Sequence, residues 1–337
     1  MPAPYPFHIL ADCAEMGASI EAAALAVGRL DSRISGSSQR QTWHLRASWT
    51  GFARALQLSG VEIDEIDVFS WGVGASLPGR PKRNTLTDPY AAFPAWRERL
   101  ARTGRHWAED LPFTLDTRNR LGAEPRLIRA FDLLAQWLQV EPGLGAWLAL
   151  PILLHRLGVS GTPLPCLVAG DRRLRSGARD PAALLRGLLR ALADRADEGL
   201  AMHALMERTR AQALATLQEQ RRLGALSRLT ALMQVAPLQT PEAVSRRLHL
   251  TLSGSGKLLQ RAAELGLVHE ISQRRSWRVY LTPDLAQSLG FVAAPRGRPP
   301  LLPMPAVNEL GKVLVDFDRE MAAWDTQFGA STSSSAD

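Results

Sequence analysis

Cysteine is nearly absent from this chain of 337 residues, occurring only as Cys13 and Cys166. Two thiols cannot build a disulfide framework, and neither has Cys or His neighbours at zinc-finger spacing. A reducing, cytoplasmic setting is therefore expected. Long apolar runs are also missing. The longest candidate, Leu144 to Leu154, is too short to span a bilayer. The start, Met1 to Ile20, lacks a basic segment and carries Asp12 and Glu15, so it does not read as a secretory signal. No internal repeat is visible. Lysine occurs only at 82, 257 and 312, so arginine carries nearly all the positive charge; this reads as genome composition.

Charge is unevenly distributed. Between Arg222 and Pro300 there are eleven basic residues and four acidic ones, a local excess of +7 that equals the formal net charge of the whole chain. A basic segment in an otherwise balanced chain is the electrostatic footprint of a polyanion binder. Taken alone, a charge run is more often a solvated surface.

The expected architecture is mainly α: a helical N-terminal domain with a small β element, then a C-terminal winged helix-turn-helix. Residues 17–30 and 42–58 have amphipathic helical spacing. Residues 61–69, with Val61, Ile63, Ile66 and Val68 apolar, suggest a short strand or pair of strands. A loop is expected at 76–90 and helices at 91–103, 124–140 and 144–157, with 158–180 irregular. Asp180-Pro181 is a helix start, since Asp caps free N–H groups and Pro fits the first turn. From there to about Leu223 helix formers dominate, with a stripe of Leu184, Leu185, Leu188, Leu189 and Leu192. This segment, 181–221, is expected either to pack on the N-terminal domain, the favoured reading, or to dimerise the chain. The domains expected are thus 1–180, 181–221, 222–290 and 291–337, the last ending in a Ser-rich tail expected to be disordered.

The stretch from Ser227 to Leu281 carries the functional argument. A helix at 222–235 ends before Pro237. Thr240-Pro241 starts a second, with Ala243, Val244 and Leu248 on its buried face. His249-Leu250-Thr251 makes a tight turn, with Leu250 directed into the core and Thr251 capping a third helix, Leu252 to Leu265. Gly266 stops it in the left-handed conformation. Strands at 268–272 and 277–281 then flank an arginine-rich tip.

In such a layout the third helix enters the major groove. Its polar face offers Ser253, Ser255, Lys257, Gln260 and Arg261, with Thr251 at its start. Arg246 and Arg247 on the second helix, and Arg274, Arg275 and Arg278 on the hairpin, suit contacts to the DNA backbone or minor groove. Trp277 is expected to pack rather than stack on bases. Gly254 and Gly256 weaken the helix by roughly 1 kcal/mol each relative to Ala. They either admit the sugar-phosphate chain closely or mark a weak first turn. Further on, Arg296-Gly297-Arg298-Pro299 resembles the core of an AT-hook, though an extended linker fits equally well.

Signals for catalysis are poor. The seven histidines show no metal-ligand pairing, and no G-x-S-x-G occurs. Gly254 to Lys257 resembles the end of a phosphate-binding loop, but Leu258 replaces the required Ser or Thr. Asp31 and Arg33 form a polar cluster that is read as a salt bridge or helix cap. No catalytic residue, metal site or cofactor is expected, and the chain is not expected to be an enzyme.

Leu30-Asp31-Ser32-Arg33-Ile34-Ser35-Gly36-Ser37, the helix at 42–58, and Pro165-Cys166-Leu167 with Ala169-Gly170 and Arg172 resemble a bacterial family common in rhizobia and related alphaproteobacteria. Its members join an N-terminal domain of unknown function to a C-terminal helix-turn-helix, which 226–281 matches through Glu264-Leu265-Gly266-Leu267. In outline the family is also similar to the non-catalytic flanks of Fic proteins, whose H-x-F-x-x-G-N-G-R motif this chain lacks. The resemblance implies a transcriptional regulator. The expectation is sequence-specific binding of double-stranded DNA by a nucleoid-associated, cytoplasmic protein with no membrane partner, homodimerisation being left open. The alternative is an antitoxin-like accessory factor that uses the same domain to dock a protein.

Overall fold

Twelve helices and three very short strands make up the ordered elements among the described residues, which in this computed structural model are 7, 14–77, 79–80, 88–101, 111–113, 125–176, 179–273 and 277–293. They divide into two compact units. The first takes the residues up to Gly72 and from Gly79 to Leu205; the second takes Val73–Pro78 and the residues from Met206 onward.

The first unit is all helical among its described residues. It contains α1 (Ala14–Ser35), α2 (Arg40–Ser59), α3 (Glu65–Val73), α4 (Phe93–Ala101), α5 (Arg126–Val140), α6 (Leu144–Arg156) and the short α7 (Arg173–Ser176). A long helix, α8 (Pro181–Gln218), contributes its residues through Leu205 to this unit and the remainder to the second. The apolar run at 144–154 is α6. It is buried nearly all round, which is what a helix without a polar face requires, and it packs on both α5 and α2. Among the described residues no helix is long and apolar enough to cross a membrane.

One sequence expectation is overturned in this unit. Residues 61–69 form no strand, and the small β element expected in the N-terminal domain is absent from its described residues. Gly60, at φ 99°, ends α2, and α3 begins five residues later. The decisive signal is polar. Asp67 accepts the backbone N–H of Asp64 at 2.8 Å, half of a capping box that closes the first turn of α3. Ile66, Val68, Phe69 and Trp71 are then buried around the whole helix. A β-branched run this short fits either structure, and burial on all sides removes the alternation that would have told them apart.

Asp31 is structural and bonds across the fold rather than capping a helix. Its Oδ2 accepts the Gly161 N–H at 2.8 Å and so ties α1 to the irregular 158–172 segment. That segment threads Leu164, Cys166, Leu167, Val168 and Ala169 into the core. Gly170 lies flat against the Trp147 ring, where any side chain would collide. Burial pushes the Cys166 thiol up to about 12, so it stays protonated and unreactive. Asp180 caps α8 as expected, accepting the Ala183 N–H at 2.9 Å. The leucine stripe from Leu184 to Leu192 is buried.

The second unit continues with α9 (Leu226–Val235), β1 (Leu238–Gln239), α10 (Pro241–Leu248), α11 (Leu252–Glu264), β2 (His269–Glu270), β3 (Tyr280–Leu281) and α12 (Pro283–Ser288). The strands form an antiparallel sheet in the order β1-β3-β2, with Leu238 and His269 both opposite Leu281. Two-residue β1 and six-residue α12 lie below the length at which periodicity speaks, and neither was expected from sequence. The three helices α9, α10 and α11 pack in succession over Leu229, Leu232, Val244, Leu248, Leu259 and Ala262, all buried.

Candidate nucleic-acid interface

Local hydrogen bonds set the geometry around α10 and α11. Thr240 caps α10 by accepting the Ala243 N–H at 3.2 Å. His249 ends α10 in the left-handed conformation, at φ 53°. The turn is then clamped twice: Leu250 N–H donates to the Ser245 carbonyl at 3.1 Å, and the Ser245 hydroxyl donates to the Leu250 carbonyl at 2.6 Å. The Leu250 side chain is half-buried rather than fully in the core. Thr251 caps α11 by accepting the Gly254 N–H at 3.1 Å. Gly266, at φ 69°, follows the end of α11 as expected.

With about 100° per residue, α11 sorts its side chains cleanly. Ser255, Leu259 and Ala262 point into the unit. Ser253, Lys257, Gln260 and Glu264 are exposed on the opposite side, while Leu252, on the azimuth of the buried side, is exposed at the very start of the helix. Ser255 is therefore not a candidate for contact. It is fully buried, with its hydroxyl donating to the Thr251 carbonyl at 3.0 Å. It stands two residues from Ser253, about 200° around the helix, and residue type alone does not distinguish them.

Gln260 and Arg261 are exposed but engaged. Gln260 Nε2 donates to Glu264 Oε1 at 3.2 Å. Arg261 lies on the flank and donates to Gln220 Oε1 at 3.2 Å and to the Arg222 carbonyl at 3.0 Å. Its guanidinium thus braces the segment before α9, a role with no sequence signal because the partners lie about forty positions away. Arg246 is exposed in the last turn of α10; Arg247 beside it is half-buried, as is Arg278 after the hairpin turn. Arg274, Arg275, Arg296, Arg298 and the Ser-rich tail lie outside the described residues.

Glu270 holds the base of the hairpin. Its Oε1 accepts the backbone N–H groups of Ser272, at 2.8 Å, and Gln273, at 3.0 Å, and also the Ser272 hydroxyl. Ile271 N–H donates to the Val279 carbonyl at 2.9 Å, which sets the register. Trp277 corrects the sequence expectation: it is 73% exposed, at φ 61°, and does not pack. Val279, Tyr280 and Leu281 fill the core instead. Leu252, the first residue of α11, is likewise 55% exposed. It shares the azimuth of buried Leu259, seven residues on, but stands at the first position of the helix.

The two glycines of α11 separate here. A side chain at Gly254 would press on the Thr251 hydroxyl that caps the helix, 3.0 Å away. At Gly256 nothing lies within 4 Å, so packing does not require glycine there. Gly256→Ala is accordingly expected to stabilise the second unit by about 1 kcal/mol, read as a higher unfolding midpoint. If a sugar-phosphate chain approaches this turn, the same variant loses duplex affinity several-fold in a titration. Unchanged affinity would assign Gly256 to the weak-first-turn reading.

Compared with protein-family models and with curated proteins, the chain matches none.

Proposed function

We propose that residues 222–290 form a winged helix-turn-helix that binds double-stranded DNA with sequence preference, and that the chain is a transcriptional regulator. The observation that carries this reading is the outer face of α11. Ser253, Lys257 and Gln260 share one exposed surface, opposite a fully buried side, in a segment that holds the whole charge excess of the chain. An α-helix fits the major groove, where glutamine offers a donor and an acceptor to a base edge and the lysine ammonium a charge to the phosphates. The helix dipole adds positive potential at the N-terminal turn, beside Thr251 and Ser253. Arg246, Arg247 and Arg278, with Arg274 and Arg275 between Gln273 and Trp277 in sequence, are the proposed backbone contacts; Arg296 and Arg298 would extend them along the minor groove. Arg261 has a bracing role, so Arg261→Ala acts partly through the 220–222 segment. Glu264 is the one acid on the outer face of α11. It lies about 10 Å beyond Lys257 along the axis, at the end that leaves the groove. The resemblance to the rhizobial family agrees with this reading, which would place the chain in the nucleoid.

The test is selection from random-sequence duplexes followed by mobility-shift titration across salt. Retention at low salt, an enriched motif and a linear fall of log affinity with log salt concentration are expected. Absence of duplex binding at low salt rejects the proposal.

Exposed Leu252 and Trp277 favour a second reading, in which the same domain docks a protein partner and the chain is an antitoxin-like accessory factor. A stoichiometric partner that survives nuclease treatment would support it.

A further inference from the structure

We propose that the outer face of α1 is a two-fold interface between two copies of this chain, packed antiparallel about Leu25. The leucine stripe of α8, the candidate dimer seam in the sequence, is unavailable: Leu184, Leu185, Leu188, Leu189 and Leu192 are all 0–1% exposed within the chain. On α1 the opposite holds. Leu25 is 60% exposed and lines a shallow surface depression together with Ala24, Gly28, Arg29, Ser32 and Arg33. Flanking positions on that face are small, so a second helix can approach closely with little loss of side-chain entropy.

Charge names the occupant and its direction. Glu21 stands four residues before Leu25 and Arg29 four residues after, both exposed, each about 6 Å from Leu25 along the axis. A two-fold contact is self-complementary, so residue i meets residue j and j meets i. Antiparallel packing about Leu25 brings Glu21 level with the partner's Arg29, and Arg29 level with the partner's Glu21. Parallel packing in register would set like charges level instead. Within its own chain Arg29 pairs with Asp197 at 3.0 Å, yet it stays 64% exposed and can take a second carboxylate. The interface is a single helix pair, so the association is concentration-dependent. It does not depend on the DNA reading.

Sedimentation velocity on the full chain over a wide concentration range tests it. The expected result is a monomer–dimer equilibrium. Leu25→Glu buries an unpaired charge at the two-fold axis and weakens dimerisation by roughly tenfold or more. Gly28→Leu, at a position where an added Cβ meets no atom within 4 Å in the monomer, is expected to weaken it too while leaving the circular dichroism unchanged and the unfolding midpoint no lower than that of the wild type. Glu21→Arg alone weakens the dimer, and Glu21→Arg combined with Arg29→Glu restores it. A chain that stays monomeric up to its solubility limit overturns the proposal. So does a dimer indifferent to both Leu25→Glu and Gly28→Leu, and so does a charge swap that fails to restore association.

Discussion

Gln260→Ala is expected to flatten the sequence preference of the bound protein at one base pair, by about 1–3 kcal/mol, or roughly 5- to 150-fold. Lys257→Ala is expected to do something different. It lowers affinity for all duplexes alike and reduces the salt slope by about 0.9. The two side chains sit three residues apart on the same exposed face, about 60° apart around α11. The contrast follows from chemistry. A carboxamide offers a donor and an acceptor in one plane, which pairs with the adenine edge; an ammonium is a point charge that a phosphate satisfies in any sequence context. The Gln260–Glu264 hydrogen bond does not prevent this, because an exposed i,i+4 pair is worth only about 0.2–0.5 kcal/mol. Selection experiments on the two variants, with titrations at several salt concentrations, separate the effects. If Gln260→Ala retains the full motif while Lys257→Ala changes it, the groove-facing assignment of this helix is wrong.

Trp43→Ala is expected to cost the first unit about 3–5 kcal/mol. Trp43 is completely buried on α2. Its indole N–H donates to the Gly199 carbonyl at 3.1 Å, joining α2 to α8 across 156 positions of sequence. Alanine removes the largest kind of buried surface, leaves a cavity, and deletes the indole hydrogen bond to the Gly199 carbonyl. Domain stabilities run to about 5–15 kcal/mol, so this one change consumes much of the margin. Trp43→Phe keeps most of the volume and loses the hydrogen bond, and it is expected to cost roughly 1–3 kcal/mol. Denaturant unfolding of both variants gives the comparison. Equal midpoints for the wild type and Trp43→Ala would mean that this part of the core does not limit stability.

How much could be read from residues alone depended on the range of the interaction. Thr240, Thr251 and Asp180 announced their helices because a cap is closed within three residues by a side-chain oxygen and a backbone N–H. Gly266 announced the end of α11 because a left-handed turn favours glycine on steric grounds. The same logic was available at Asp64 and Asp67, where the cap of α3 was outweighed by the β-branched run around it. Trp277 was misjudged for another reason. Size and hydrophobicity argue for burial, but the left-handed backbone of the hairpin turn carries the ring outward.

On its own, the sequence determined the helical class of the chain, the start of α8, the starts and stops of α10 and α11, and the concentration of positive charge after Arg222. Each of these is a local property, a hydrogen bond within one turn or a count of charges along the chain. Only the tertiary structure decided that Ser253 faces out and Ser255 in, that Arg261 braces a distant segment, and that the leucines of α8 are buried while Leu25 of α1 remains open. Which side of a helix meets the core depends on elements far away in sequence. Burial is a property of the packed units, and no window of residues contains it.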